Sequence, residues 1–136
     1  KENLTEHVRF LGYRDDALKI LKCMDFYISS SLSEGLPISV LEALASGIPT
    51  IATEIAGNKD IIRNSVFGVL VEPDSPKSLA QGICKMIKLT QKERDILSRN
   101  ASNQIKKEFS VEEMASKTAL LYKKILRKND AYERTN

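Results

Sequence analysis

At 136 residues, 42% hydrophobic and 29% charged, the chain has the composition of one ordinary globular domain. A formal net charge of +3, with no aromatics interleaved among the basic residues, argues against a nucleic-acid binder. No apolar run approaches the roughly 18 residues that span a membrane, and no basic-then-apolar leader opens the sequence, so a cytoplasmic setting is expected.

Val8–Leu11, ending at Gly12, reads as a short strand. Asp15–Lys22 carries Ala17, Leu18 and Leu21 at helical spacing and reads as a helix with an acidic cap. Asp25–Ser29 reads as a strand buried on both faces, as in parallel sheets. Ser30–Leu36 is loop, Pro37–Ser46 a helix that Gly47 is placed to end, and Pro49–Ala52 a third strand. Ala56–Asn64 reads as a loop with a short helix around Lys59–Arg63, and Gly68–Val71 as a fourth strand ended by Pro73. Ser75 and Ser78 are both candidate caps for a helix to about Leu89. Thr90 with Glu93, and Ser110 with Glu113, carry the capping-box spacing and start two more helices. The last helix has an apolar face through Val111, Met114, Ala115, Leu121, Tyr122 and Ile125, and the tail from Asn129 is polar. Cys23 and Cys84 fall in predicted helices and are expected to be reduced and in or near the core, and His7 to be structural or exposed.

Strands alternating with helices predict an α/β fold with a parallel sheet. Ligands of such sheets sit beyond the carboxyl ends of the strands, so the loops Gly12–Arg14, Ser30–Pro37 and Thr53–Asn58 are expected to converge on one edge. Glu34-Gly35-Leu36-Pro37-Ile38-Ser39-Val40-Leu41-Glu42 is the richest of these segments. A loop feeds a helix whose opening offers unpaired N–H groups and the positive end of the dipole, which suits phosphate. The flanking carboxylates repel phosphate but accept hydrogen bonds from hydroxyls. Phosphate at a helix mouth with hydroxyls on carboxylates describes a sugar nucleotide. A second explanation of Glu42 is purely structural: Ser39-Val40-Leu41-Glu42 also fits a capping box. Pro37, suited to the first helical position, would instead start the helix earlier and free Glu42 for ligand.

The run from Ser31 to Ala52, with Glu34 and Glu42 eight positions apart, resembles the signature of retaining GT-B glycosyltransferases of the group 1, or GT4, type. Val8–Gly12, Met24–Ser31, Gly68–Asp74 and Phe109–Glu112 with Tyr122 are similar to other segments of that family, in the same order. The resemblance implies a Rossmann-like parallel sheet flanked by helices, a partial GT-B C-terminal domain over residues 1–128, with 129–136 a polar tail. It implies that Glu42 holds the nucleotide ribose and that Glu34 is the catalytic-region glutamate at the donor sugar. Gly35, Leu36, Pro37, Ile38 and Ser39 would meet donor sugar and phosphate. Pro37 has no N–H, so Leu36, Ile38 or Ser39 would donate. Gly12, Tyr13 and Arg14 would flank the base, with Tyr13 or Arg14 over its face. No Asp-x-Asp occurs, so no metal is expected, and the donor is a nucleoside diphosphate sugar with no further cofactor.

By the family pattern the acceptor domain, the first two strands of the donor domain and a basic pair that meets the diphosphate all lie outside this chain. The absent strands would separate Val8–Leu11 from the others, which predicts a re-paired sheet or a homodimer. The sequence around Gly57 departs from the family, with Ala56, Lys59 and Asp60 where paired glycines and Pro-Glu are usual, and this puts a role for that loop in doubt. Residues 71–136 hold 14 Lys/Arg against 9 Asp/Glu, with Lys123, Lys124, Arg127 and Lys128 on the last helix. That surplus reads as a solvated face or as a peripheral contact with anionic lipid. The resemblance thus implies the donor half of a glycosyltransferase, of the kind used in polysaccharide biosynthesis and inactive alone. The alternative is a non-catalytic Rossmann-like module that binds nucleotide or a partner.

Overall fold

The computed structural model describes residues 4–63 and 67–133. Asn64, the side chain of Lys128 and the last tail residues, 134–136, lie outside what it describes. Three strands, β1 (Tyr27–Ser29), β2 (Thr50–Thr53) and β3 (Val69–Val71), form a parallel sheet in that order. Ile28 lies beside Ile51 and Ile51 beside Val69. The connections are helical: α1 (Ala17–Leu21) precedes β1, α2 (Ile38–Ala45) joins β1 to β2, and α3 (Ala56–Ile61) lies between β2 and β3. After β3 come α4 (Pro76–Ile87), α5 (Gln91–Glu108) and α6 (Val111–Glu133).

The two faces of β2 explain the layering. Side chains alternate along a strand, so Ile51 joins Val71, Met86 and Leu97 on the α4 side. Ala52 joins Val40, Leu44, Ile61 and Ala101 on the α2 and α5 side. All four residues of β2 are buried, as the central strand of a parallel sheet requires. The order β1-β2-β3 is one half of a doubly wound sheet.

Several sequence expectations are corrected. Val8–Leu11 is not a strand: among the described residues no strand pairs with it, and Val8 and Leu11 are about half exposed. Extended sequence becomes a strand only when a neighbour takes its N–H and C=O groups, and the sheet has not re-paired to supply one. For the same reason β1 is a short edge strand, with Ile28 36% exposed, and not a segment buried on both faces. Asp16 stands at the start of α1 but caps nothing, because its carboxylate is engaged by Arg14. The short helix after β2 starts at Ala56, ahead of the predicted Lys59–Arg63. Cys23 lies in a turn after α1, and both cysteines are exposed and free. α6 continues through Glu133, past the predicted start of the tail, and its described side chains are all exposed save half-buried Glu113.

Candidate active site

α2 opens without a side-chain cap. Pro37 occupies its N-cap, a position normally held by a side chain that accepts from the first turn, and it offers no such acceptor. The Pro37 carbonyl takes the Val40 and Leu41 N–H groups. Among the described residues no protein acceptor takes the N–H groups of Ile38 and Ser39. The other end is closed: Gly47, at φ 76°, lets its N–H bond to Leu44 O at 3.0 Å and the Ile48 N–H to Ala43 O at 2.9 Å. Val40, Leu41 and Leu44 anchor the helix in the core, so its open end is held fixed.

With Pro37 as N-cap, the helix begins before Ser39, and Glu42 sits beyond capping range. The Ser39–Glu42 box does not form: Glu42 is half-buried and its carboxylate has no hydrogen bond or ion pair among the described residues. Ser39 and Glu42, one turn apart, share a helix face. They line a cavity of about 290 Å3 with Gly12, Arg14, Leu21 and Tyr27. Its walls are mostly apolar, from α1 and β1, and its polar groups come from α2 and the Gly12–Arg14 loop.

Arg14 is held for this position. Its Nε and Nη2 donate to the two oxygens of Asp16 at 2.7 and 2.8 Å. That fork raises the guanidinium's pKa and lowers the Asp16 carboxyl below its ordinary value. The pair leaves a planar, charge-compensated group at the cavity edge, suited to covering a flat ring more than to holding phosphate. Tyr13 is 94% exposed and does not line the cavity.

Glu34, Gly35, Leu36, Pro37 and Ile38 lie outside this cavity. Glu34 is on an exposed loop, where Ser31 Oγ donates to its Oε1 at 3.1 Å. Pro37 is buried, while Leu36 and Ile38 are half exposed. The loop leans on the β2–α3 corner: Thr53 Oγ1 donates to Ser31 O at 2.5 Å, and Asn58 Nδ2 to Thr53 O at 2.8 Å. The buried Asn58 Oδ1 has no hydrogen-bond partner among the described residues. A Cβ on Gly57 would stand 2.6 Å from Gly35 O and 2.7 Å from Glu34 O. Lys59 turns away to pair with Glu54 at 3.0 Å on the surface. The three loops therefore converge in two contacts, Gly12–Arg14 across the cavity from α2 and Ser31–Pro37 against Thr53–Asn58. Thr53–Asn58 was read from sequence only as a loop following a strand, and Gly57 only as part of a segment that departs from the family at Ala56, Lys59 and Asp60. The contacts of Thr53, Gly57 and Asn58 with the Ser31–Pro37 loop could not be read there.

Fold and site together are those of a Rossmann-like domain with an open cavity beside the start of α2, and its relatives give it a family. Residues 1–104 match the family described as glycosyl transferases group 1, and the chain belongs to that family. It is 32% identical over 120 residues to the UDP-Gal:alpha-D-GlcNAc-diphosphoundecaprenol alpha-1,3-galactosyltransferase of Escherichia coli, covering 88% of this chain and 30% of that enzyme. A glycosyltransferase structure from Rickettsia africae superposes with a TM-score of 0.84 at 28% identity, over 90% of this chain and 33% of that one. Anabaena HepE in complex with UDP superposes with a TM-score of 0.82 at 28% identity, over 89% and 33%. The chain spans about a third of the length of these relatives. Its fold is the partial GT-B C-terminal domain that the sequence resemblance implies.

Proposed function

We propose that this chain is the donor-binding part of a retaining, GT4-type glycosyltransferase that moves a sugar from a nucleoside diphosphate sugar to an acceptor. One observation carries the reading. Among the described residues the Ile38 and Ser39 N–H groups at the mouth of α2 and the Glu42 carboxylate one turn on have no partner, and Ser39 and Glu42 line a cavity edged by a fixed guanidinium. The base would lie in the apolar cavity under Arg14 and beside Gly12. Its ribose hydroxyls would donate to Glu42, with Ser39 alongside. The diphosphate would sit at the Ile38 and Ser39 N–H groups, where the helix dipole and preorganised donors stabilise charge developing on the leaving group. Glu34, on the neighbouring loop, would meet the sugar. That HepE holds UDP in one structure and UDP-glucose in another supports a uridine nucleotide as the donor.

The E. coli relative's acceptor, by its name, is a diphosphoundecaprenol, which supports a lipid-linked or polysaccharide acceptor here. A cytoplasmic position at the membrane edge fits that class. Lys123, Lys124 and Arg127 on α6 would face anionic headgroups, and exposed Leu121 and Ile125 would meet the acyl boundary. The open edge of β1 and the unpaired Val8–Leu11 support association with a second copy in solution. Calorimetric titration of UDP, GDP and ADP into this chain and its Glu42→Ala variant tests the donor assignment. Binding of UDP that the variant loses is expected. Binding that the variant keeps would remove Glu42 from the donor site.

A further inference from the structure

Glu34 presents a problem that the donor site does not solve. It sits on an exposed loop with Gly35 beside it, and such a loop samples many conformations unless something holds it. Among the described residues its carboxylate is tethered only through Ser31 Oγ, so its position is set by whatever fixes the backbone from Ser31 to Pro37.

That backbone is gripped at both ends from outside the loop. At one end Thr53, 3% exposed at the end of β2, donates its hydroxyl to Ser31 O. Thr53 is itself tied back by Asn58, fully buried on α3, whose amide donates to Thr53 O. At the other end Gly57 abuts the Glu34 and Gly35 carbonyl oxygens, and a Cβ there would also lie 3.0 Å from Pro37 Cδ. A side chain at 57 would push the loop off α3. Real Cβ atoms do not approach carbonyl oxygens at 2.6 Å.

We propose that the β2–α3 corner, through Thr53, Gly57 and Asn58, is the positioning element that fixes Ser31 and Glu34 at the mouth of α2. It acts on the sugar-facing carboxylate and leaves the base and ribose groups to the separate Arg14–Glu42 cavity. This rests on the donor reading for its functional meaning, and on the contacts alone for the positioning itself. The departure from the family pattern at Ala56, Lys59 and Asp60 does not touch the corner, because the residues that grip the loop are 53, 57 and 58.

The test uses this chain with two independent readouts. The first needs no ligand: the Glu34 carboxyl-carbon and Gly35 amide NMR signals in wild type, Thr53→Val, Thr53→Ser and Gly57→Ala. Thr53→Val keeps the shape and removes the donor, and should move or broaden both signals while Tyr27 and Glu42 keep theirs. Thr53→Ser should restore them. Ser31→Ala, on a partly exposed residue that cannot unfold the core, should move the Glu34 carboxyl signal alone. Unmoved Glu34 and Gly35 signals in Thr53→Val, or no rescue by Thr53→Ser, would overturn the proposal even if Gly57→Ala fails to fold. The second readout is the ratio of UDP-glucose to UDP affinity. Thr53→Val should lower it about tenfold, as expected when a charge-assisted hydrogen bond is lost. UDP affinity itself should stay within about twofold, because the two sites are separate. A ratio unchanged in Thr53→Val would overturn the functional half. If wild type binds neither ligand, the donor reading fails, and the NMR signals still decide the positioning.

Discussion

Two helix starts in this molecule carry the same four-residue signature and do opposite things. At Thr90-Gln91-Lys92-Glu93 the capping box closes: Glu93 N–H bonds to Thr90 Oγ1 at 3.3 Å, and Thr90 N–H to Glu93 Oε2 at 2.8 Å. At Ser39-Val40-Leu41-Glu42 it does not form at all. Pro37 accounts for the difference. It stands at the N-cap with extended backbone, φ −75° and ψ 94°, the Val40 and Leu41 N–H groups bond to its carbonyl, and the helix starts before the serine that would have capped it. One start uses its serine- or threonine-to-glutamate spacing to satisfy the chain. The other leaves both its N–H groups and its glutamate open. A helix end that is unsatisfied by protein, yet rigidly anchored, is a place for a ligand.

This contrast predicts effects of different kinds at chemically similar positions. The largest is expected for Glu42→Ala, which should weaken UDP at least about tenfold, the loss expected for a hydrogen bond to a charged group. Calorimetric titration reads it, and its thermal stability should be little changed. Thr90→Ala should do the reverse, costing about 1 kcal/mol of stability in chemical denaturation and leaving UDP affinity as it was. Glu93 adds a pH signature. The Thr90 hydroxyl and then the Thr90 N–H hold its carboxyl below its ordinary value of 4.5. A carboxyl depressed in the folded state stabilises above its unfolded pKa and loses that contribution as pH falls through the folded value. The stability gap between wild type and Glu93→Gln should therefore be full at about pH 7 and close progressively below about 4.5. The smallest effect is expected for Ser39→Ala, within about 0.5 kcal/mol of wild type, since Ser39 caps nothing. A loss near that of Thr90→Ala would mean that a box forms at α2 in solution.

Local chemistry was legible in the sequence where it is settled locally. Thr90 closes the box its spacing predicts, and Ser110 forms half of one, its Oγ accepting from Glu113 N–H at 3.1 Å while the Glu113 carboxylate pairs with Lys117. Ser75 is the cap of α4, accepting from Ser78 N–H, while Ser78 Oγ takes the Glu72 N–H. Gly47 ends α2 in the left-handed conformation expected of it. What could not be read was decided by partners distant in sequence. Val8–Leu11 has strand composition, but pairing is a property of the neighbour, and none is present among the described residues. Cys23 and Cys84 sit beside apolar residues in sequence but on exposed surface in space. Gly57 was weighed by its flanking residues, whereas its role lies in the carbonyl oxygens of Glu34 and Gly35, brought to it by the β1–β2 pairing. The pairing of Ser39 and Glu42 on one cavity wall was therefore legible, because one helix carries both. It was not legible where two corners of the sheet meet.

The measurement that tests the central contrast most directly is an amide NMR titration of this chain with UDP. The Ile38 and Ser39 amide signals should move with ligand, together with the Glu42 carboxyl carbon, while the amides of Thr90 to Glu93 stay fixed. UDP that binds without moving Ile38 and Ser39, or that moves the two helix starts alike, would contradict the account.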